Sequence, residues 1–111
     1  FNASELRAEL GTKQLAVDFT ADWCPTCKVL EATVLTNENV SVWAEQYDTT
    51  FIRADLTEDN PEAEALLRSL GSQSIPLVAV FPQGNNASSP IVIRDLFTAG
   101  QLEEALGRAR Q

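Results

Sequence analysis

The chain has 111 residues, 44% hydrophobic and 22% charged, which is the composition of one globular domain. Eight basic against sixteen acidic residues give a net charge of −8, which disfavours nucleic acid and anionic membranes as partners. Histidine and methionine are absent, so histidine general bases, His-bearing zinc sites and thioether copper sites are excluded.

Neither an internal repeat nor a linker divides the sequence, and residues 1–111 read as one continuous domain. A chain of this size buries roughly two-thirds of its unfolded surface, enough to hold a core without a disulfide or metal. No apolar run approaches the ~18 residues of a membrane span, so this segment is not expected to insert directly into a bilayer. The absence of any Met, with Phe1 first, leads us to expect a processed product or a domain cut from something longer.

In chain order, Ser4 to Leu10 reads as a short helix with Ser4 as N-cap and Gly11 as stop. Leu15 to Thr20 is a short apolar strand interrupted by Asp18. A helical stretch after Cys24 carries Val29, Leu30, Thr33 and Val34, and weakens at Thr36-Asn37. A second amphipathic piece follows, with Val40, Trp43, Ala44 and Tyr47 at helical spacing. Thr50 to Leu56 alternates like a strand, with Ile52, Ala54 and Leu56 on one side. Asn60 and Pro61 open the next helix as N-cap and first helical residue, and Gly71 closes it. Leu77 to Phe81 is another strand. A Gly/Asn/Ser/Pro stretch from Pro82 to Pro90 turns the chain into Ile91–Ile93, an antiparallel partner. The last helix opens on a capping box of Thr98 and Gln101 with a staple of Phe97 and Leu102. This order predicts an α/β fold with a central mixed sheet flanked by helices on both faces.

Cys24 and Cys27, the only cysteines, sit in Trp23-Cys24-Pro25-Thr26-Cys27-Lys28, where a buried strand hands over to a helix. Residues three apart on a helix have Cβ atoms about 5–6 Å apart, close to disulfide range. Cys24 falls at the helix N-terminus, where unpaired N–H groups and the helix dipole favour a thiolate, and Pro25 suits the first helical position. Cys27 lies one turn inside and is expected to be more buried. This makes Cys24 the attacking thiolate and Cys27 the resolving thiol. The other readings are a zinc half-site, which could not close within one chain, and an inert structural disulfide, which would remove little chain entropy from so small a loop.

Asp18, on a strand covered on both faces, is expected to titrate high and to exchange a proton with Cys27; the plainer reading is a strand-end acid facing water. Pro76 is either an ordinary proline at a strand entry or a cis residue beside a backbone edge that pairs with a substrate chain.

Val17-Asp18-Phe19, Ala21-Asp22-Trp23-Cys24, Cys27-Lys28 and Ile75-Pro76 together resemble the thioredoxin superfamily in order and spacing. The resemblance implies a thioredoxin-like fold, with Cys24 as nucleophile, Cys27 as resolver, Asp18 as proton-transfer group and Pro76 as cis-proline. It implies a substrate-binding rim of Trp23, Pro25, Thr26, Ile75 and Pro76. Within the superfamily the chain is most similar to the C-terminal, extracytoplasmic domain of the DsbD family of thiol:disulfide interchange proteins. The shared features are Ala21-Asp22-Trp23-Cys24, the helix break near Thr36-Asn37, Ala54-Asp55-Leu56-Thr57 before a Pro-started helix, and a glutamate seven residues after the first cysteine. That acid, Glu31, is implied to tune the cysteine, although a solvated helix glutamate reads the same way. Pro25-Thr26 departs from the Gly-Pro of thioredoxin; a proline directly after the first cysteine is similar to glutaredoxin.

The function expected is a thiol–disulfide oxidoreductase, mainly a reductase, with no bound cofactor and no metal because the cysteine pair carries the electrons. Expected partners are thiol or disulfide proteins and a membrane electron-donor domain of the same chain, with this domain itself monomeric and periplasmic. A cytoplasmic thioredoxin recharged by a flavin reductase, and a binding module with a non-catalytic CxxC, remain the alternatives. The Asn-x-Ser patterns at Asn2, Asn39 and Asn86 are assigned no function.

Overall fold

A computed structural model describes residues 3–71, 74–84, 87 and 89–110. The elements run α1 (Ala3–Glu9), β1 (Gln14–Thr20), α2 (Pro25–Thr33), α3 (Asn37–Gln46), β2 (Thr49–Asp55), α4 (Pro61–Ser69), β3 (Leu77–Phe81), β4 (Ile91–Arg94) and α5 (Ala99–Ala109). The four strands form a mixed sheet in the order β2-β1-β3-β4, with β1 parallel to β2 and antiparallel to β3, and β3 antiparallel to β4. Parallel pairing needs a crossover, here supplied by α2 and α3.

Strand alternation sorts the core into two layers. Leu15, Val17 and Phe19 of β1 join Leu77, Ala79 and Phe81 of β3 in a cluster with Leu6 of α1 and Ala63 and Leu67 of α4. On the other face, Ala16, Val78 and Val80 meet Leu30 of α2, Trp43 of α3, and Leu102, Ala105 and Leu106 of α5. Each fully buried Leu or Phe contributes about 1.5–3 kcal/mol, so β3, buried along its length, and β1, buried at every position but Asp18, anchor the fold.

The helix boundaries follow local chemistry. Thr36 caps α3 by accepting from the Asn39 N–H at 3.1 Å, so the expected weak point is a true break between two helices. Asn60 caps α4, and Pro61 takes its first turn. Thr98 and Gln101 form the capping box of α5, and Phe97 and Leu102 share one core cluster. Gly11 and Gly71 have positive φ (87° and 81°), conformations that let the chain leave α1 and α4. One expectation fails: α1 already includes Ala3, so Ser4 lies within the helix and is not its N-cap. Positions 85, 86 and 88 of the turn before β4 lie outside the described residues, as do Asn2 and Asn86.

The topology gathers one set of loops at one end of the sheet. Thr20 ends β1 opposite Asp55, Phe19 pairs with Leu77, and Leu77 pairs with Arg94. The segments that follow Thr20, Asp55 and Arg94, and the one that precedes Leu77, therefore converge. Two backbone bonds tie them, Leu56 N–H to Thr20 O at 2.7 Å and Asp95 N–H to Pro76 O at 3.0 Å. At the opposite end, buried Gln14 donates through Nε2 to Thr49 Oγ1 and Leu106 O.

Candidate functional site

The convergent end holds the cysteines. After Thr20 the chain turns through Ala21, whose carbonyl accepts from the Cys24 N–H at 3.2 Å, and α2 begins at Pro25. Cys24 is the N-cap in extended conformation, and its Sγ accepts from the Cys27 N–H at 3.1 Å. A thiolate at this position gains an N–H donor and the positive end of the helix dipole, the two effects that lower a thiol pKa. Cys24 and Cys27 are joined as a disulfide with Cα atoms 5.3 Å apart. Cys24 keeps 6% of its surface exposed and Cys27 2%, so Cys24 is the less buried of two nearly buried residues.

The disulfide sits in a small apolar cluster with Ala21, against which Leu56 and Ile75 pack. Trp23 stands beside it, 63% exposed; Pro25 is also exposed and Thr26 half-buried. The Ile75–Pro76 peptide bond is cis, with Ile75 half-buried and Pro76 buried. A groove of about 320 Å3 runs from this rim toward α4, lined by Trp23, Leu56, Glu64, Leu67, Arg68 and Ile75. The Asp95 bond to Pro76 also brings Leu96, an exposed leucine, to the same end of the molecule. Sequence reasoning placed Leu56 on a strand face and passed over Leu96. Neither carries a motif, and only the meeting of the loops reveals them.

Alternation directs Asp18 to the face covered by α2, where Cys27, Leu30 and Glu31 lie within one helical turn of one another. Asp18 is half-buried, and desolvation, reinforced by the negative charge of Glu31 and opposed by Arg53, pushes its carboxyl up to about 6. Glu31 has several partners. Its Oε1 accepts from Thr20 Oγ1 at 3.1 Å and pairs with Arg53 at 3.0 Å, and its Oε2 lies 3.4 Å from Lys28 Nζ. Lys28 also bonds Asp22 at 3.0 Å, and that hydrogen bond leads the effects that hold its ammonium above the ordinary lysine value. Glu31 is thus a tethered acid rather than a freely solvated one. The structure brings Trp23, Cys24, Pro25, Thr26, Cys27, Ile75 and Pro76 round one disulfide, and sets Asp18 and Glu31 together on the α2 side of the sheet. Thr20 and Arg53 were missed as parts of that pair because each reads from sequence as an ordinary strand residue.

Among the described residues no group of three or more His, Cys, Asp and Glu side chains is placed to hold a metal ion. No helix among them is long and apolar enough to cross a membrane.

Comparison with known proteins extends over nearly the whole chain. The Thioredoxin-like family matches residues 4–83. A thiol:disulfide interchange protein DsbD of Pseudomonas aeruginosa is 36% identical over 109 residues, which is 97% of this chain and 18% of that protein. A DsbD of Ralstonia nicotianae is 34% identical over 95% of this chain and 18% of its own length. The chain therefore spans less than a fifth of the curated relatives it matches. Among solved structures, the oxidised C-terminal domain of Neisseria meningitidis DsbD superposes with a TM-score of 0.67 at 26% identity, covering 98% of this chain and 97% of that one. Spinach chloroplast thioredoxin f shares the fold alone, with a TM-score of 0.69 at 22% identity over all of this chain and 91% of its own. With its mixed sheet, its helix-capping CxxC disulfide and a family match over residues 4–83, the chain belongs to the thioredoxin-like family.

Proposed function

We propose that the protein is a thiol–disulfide oxidoreductase that relays electrons through Cys24 and Cys27, working mainly as a reductase of partner proteins. The observation that carries this reading is the position of Cys24: N-cap of α2, bonded through its sulfur to a backbone N–H, and the less buried of the two cysteines. In the reduced form the Cys24 thiolate attacks a partner disulfide, bonding one partner sulfur while the other leaves as a thiolate. Cys27 then gives up its proton and attacks Cys24 Sγ. The partner sulfur bonded to Cys24 leaves as a thiolate with the electrons of that bond, and the Cys24–Cys27 disulfide remains.

Asp18 is the group we assign to that proton, and Glu31 the acid that tunes the cysteine. Trp23, Pro25, Thr26, Ile75 and Pro76 form the rim on which a partner segment lies. The likeness to DsbD supports a relay in which a membrane domain re-reduces the pair and this domain passes the electrons to extracytoplasmic thiol proteins. We read the domain as a monomeric, periplasmic unit of such a chain, with the cysteine pair as its only redox group.

Trapping with a disulfide-bonded probe protein such as insulin tests the assignment. Cys27→Ser is expected to accumulate a mixed disulfide through Cys24, and Cys24→Ser to form none. A Cys24→Ser variant that still reduces the probe would overturn the reading.

A further inference from the structure

The groove beside the disulfide combines carbon and charge. Trp23, Leu56, Leu67 and Ile75 give it an apolar lining, and α4 sets Glu64 and Arg68 along it, both exposed. Those two residues are four apart with the acid first, the order that favours an ion pair on a helix. The same order closes elsewhere in this chain, at Glu9–Lys13 (3.5 Å) and Glu104–Arg108 (3.9 Å). Glu64 and Arg68 do not close. Among the described residues neither forms an ion pair or a side-chain hydrogen bond. Both charges are therefore available to whatever lies in the groove.

The surroundings give the groove a direction. On the Glu64 side, Asp22, Asp55, Glu58 and Asp59 line a neighbouring cleft that also reaches Asn60, the cap of α4. Arg68 sits one turn beyond Glu64, in the last turn of the helix. In a chain of net charge −8 the general field draws basic groups and repels acidic ones, and Arg68 makes a local exception. An apolar side chain over Leu56, Leu67 and Ile75 would bury against carbon while its neighbours met Glu64 on one side and Arg68 on the other.

We propose that Glu64 and Arg68 are specificity-determining residues of the exchange site. They select an extended, cysteine-bearing partner segment that places an apolar residue in the groove, a basic residue towards Glu64 and an acidic residue towards Arg68. This deepens the oxidoreductase reading above and rests on it. The occupant follows from continuity, since Trp23 and Ile75 line the groove and also border the disulfide. The two charges act on which partner is held while the sulfur atoms exchange.

Two synthetic peptides test this, each with one cysteine as its mixed disulfide with thionitrobenzoate, a leucine beside it, and either a lysine or a glutamate beyond. In the reduced Cys27→Ser chain the Cys24 thiolate bonds the peptide sulfur, and thionitrobenzoate leaves as a coloured thiolate whose release gives the rate. Glu64→Gln is expected to slow the lysine peptide roughly three-fold, the effect of one exposed charge pair, without slowing the glutamate peptide. Arg68→Gln is expected to do the reverse. Both differences are expected to vanish in ~1 M salt, where the screening length is about 3 Å. Glu104→Gln, on α5, changes the net charge as Glu64→Gln does and is expected to leave the ratio of the two rates unchanged.

Glutamine suits an exposed helix position, and Glu64→Ala and Arg68→Ala serve with the same signs should either variant fail to fold. Equal responses of the two peptides to each variant, or rates unmoved by both, would overturn the proposal. Failure of the oxidoreductase reading is separable: Cys24 would then exchange with neither peptide, whereas exchange without preference removes the α4 assignment alone.

Discussion

Cys24 and Cys27 differ by one turn of helix, and that turn separates their chemistry. The first caps α2 and reaches the rim; the second lies inward, one helical turn from Glu31, on the face of α2 that meets the Asp18 side of the sheet. Asp18 adds a cost to the fold. A carboxyl titrating near 6 in place of 3.8 is destabilised as an anion by about 3 kcal/mol. Between those two pH values the folded chain binds more protons than the unfolded one, so this group's contribution to stability falls as pH rises through the window. Asp18→Asn is therefore expected to raise stability above pH 6 by up to ~3 kcal/mol, with no gain below pH 4, as read from urea midpoints. The same variant is expected to slow resolution of the mixed disulfide by roughly 100-fold and to remove its inflection near pH 6. A variant with unchanged stability at pH 7 would show that Asp18 is solvated. At this scale the sequence was informative wherever chemistry is local. Cys24, Pro25 and Cys27 are legible from the strand-to-helix junction, and Asp18 from the apolar run it interrupts. The link from Asp18 to Arg53 was not, because it depends on the register of two strands 35 residues apart.

The elements were legible where capping and periodicity agree. Thr98, with Gln101 three residues on and Leu102 behind, reads as a helix start, and both reciprocal bonds form. Thr98→Ala is expected to cost about 1 kcal/mol in urea unfolding without altering exchange. A loss well below ~0.5 kcal/mol would mean that packing of Leu102 and Leu106 alone holds α5. The break between α2 and α3 was visible at Thr36-Asn37 because both residues compete with the helix for backbone bonds, and Thr36 in fact caps the next helix. Ser4 misled for a related reason. Its residue type favours a cap, but α1 starts before it. The strand at Ile91–Arg94 was found as an antiparallel partner one residue shorter than it is, since nothing in Arg94 marks a strand end.

For the whole molecule, the site is a consequence of connectivity. Parallel β1–β2 pairing sends both strands the same way, and antiparallel β3 starts where they end. The disulfide, the cis Ile75–Pro76 bond, Leu56 and Leu96 are brought together by that reversal although they span more than seventy residues of chain. Composition could exclude partners and an αβ pattern could predict a mixed sheet, but neither could say which loops meet. The function assigned to that meeting place is electron transfer between thiols, and it has a direct thermodynamic test. The reduction potential of Cys24–Cys27, measured by equilibrating the chain in defined thiol buffers with mass-spectrometric readout, is expected to be reversible and more negative than roughly −200 mV, in the range of glutaredoxins and thioredoxin. A value near −120 mV, typical of a strong oxidant, or cysteines that fail to exchange under native conditions, would contradict the account.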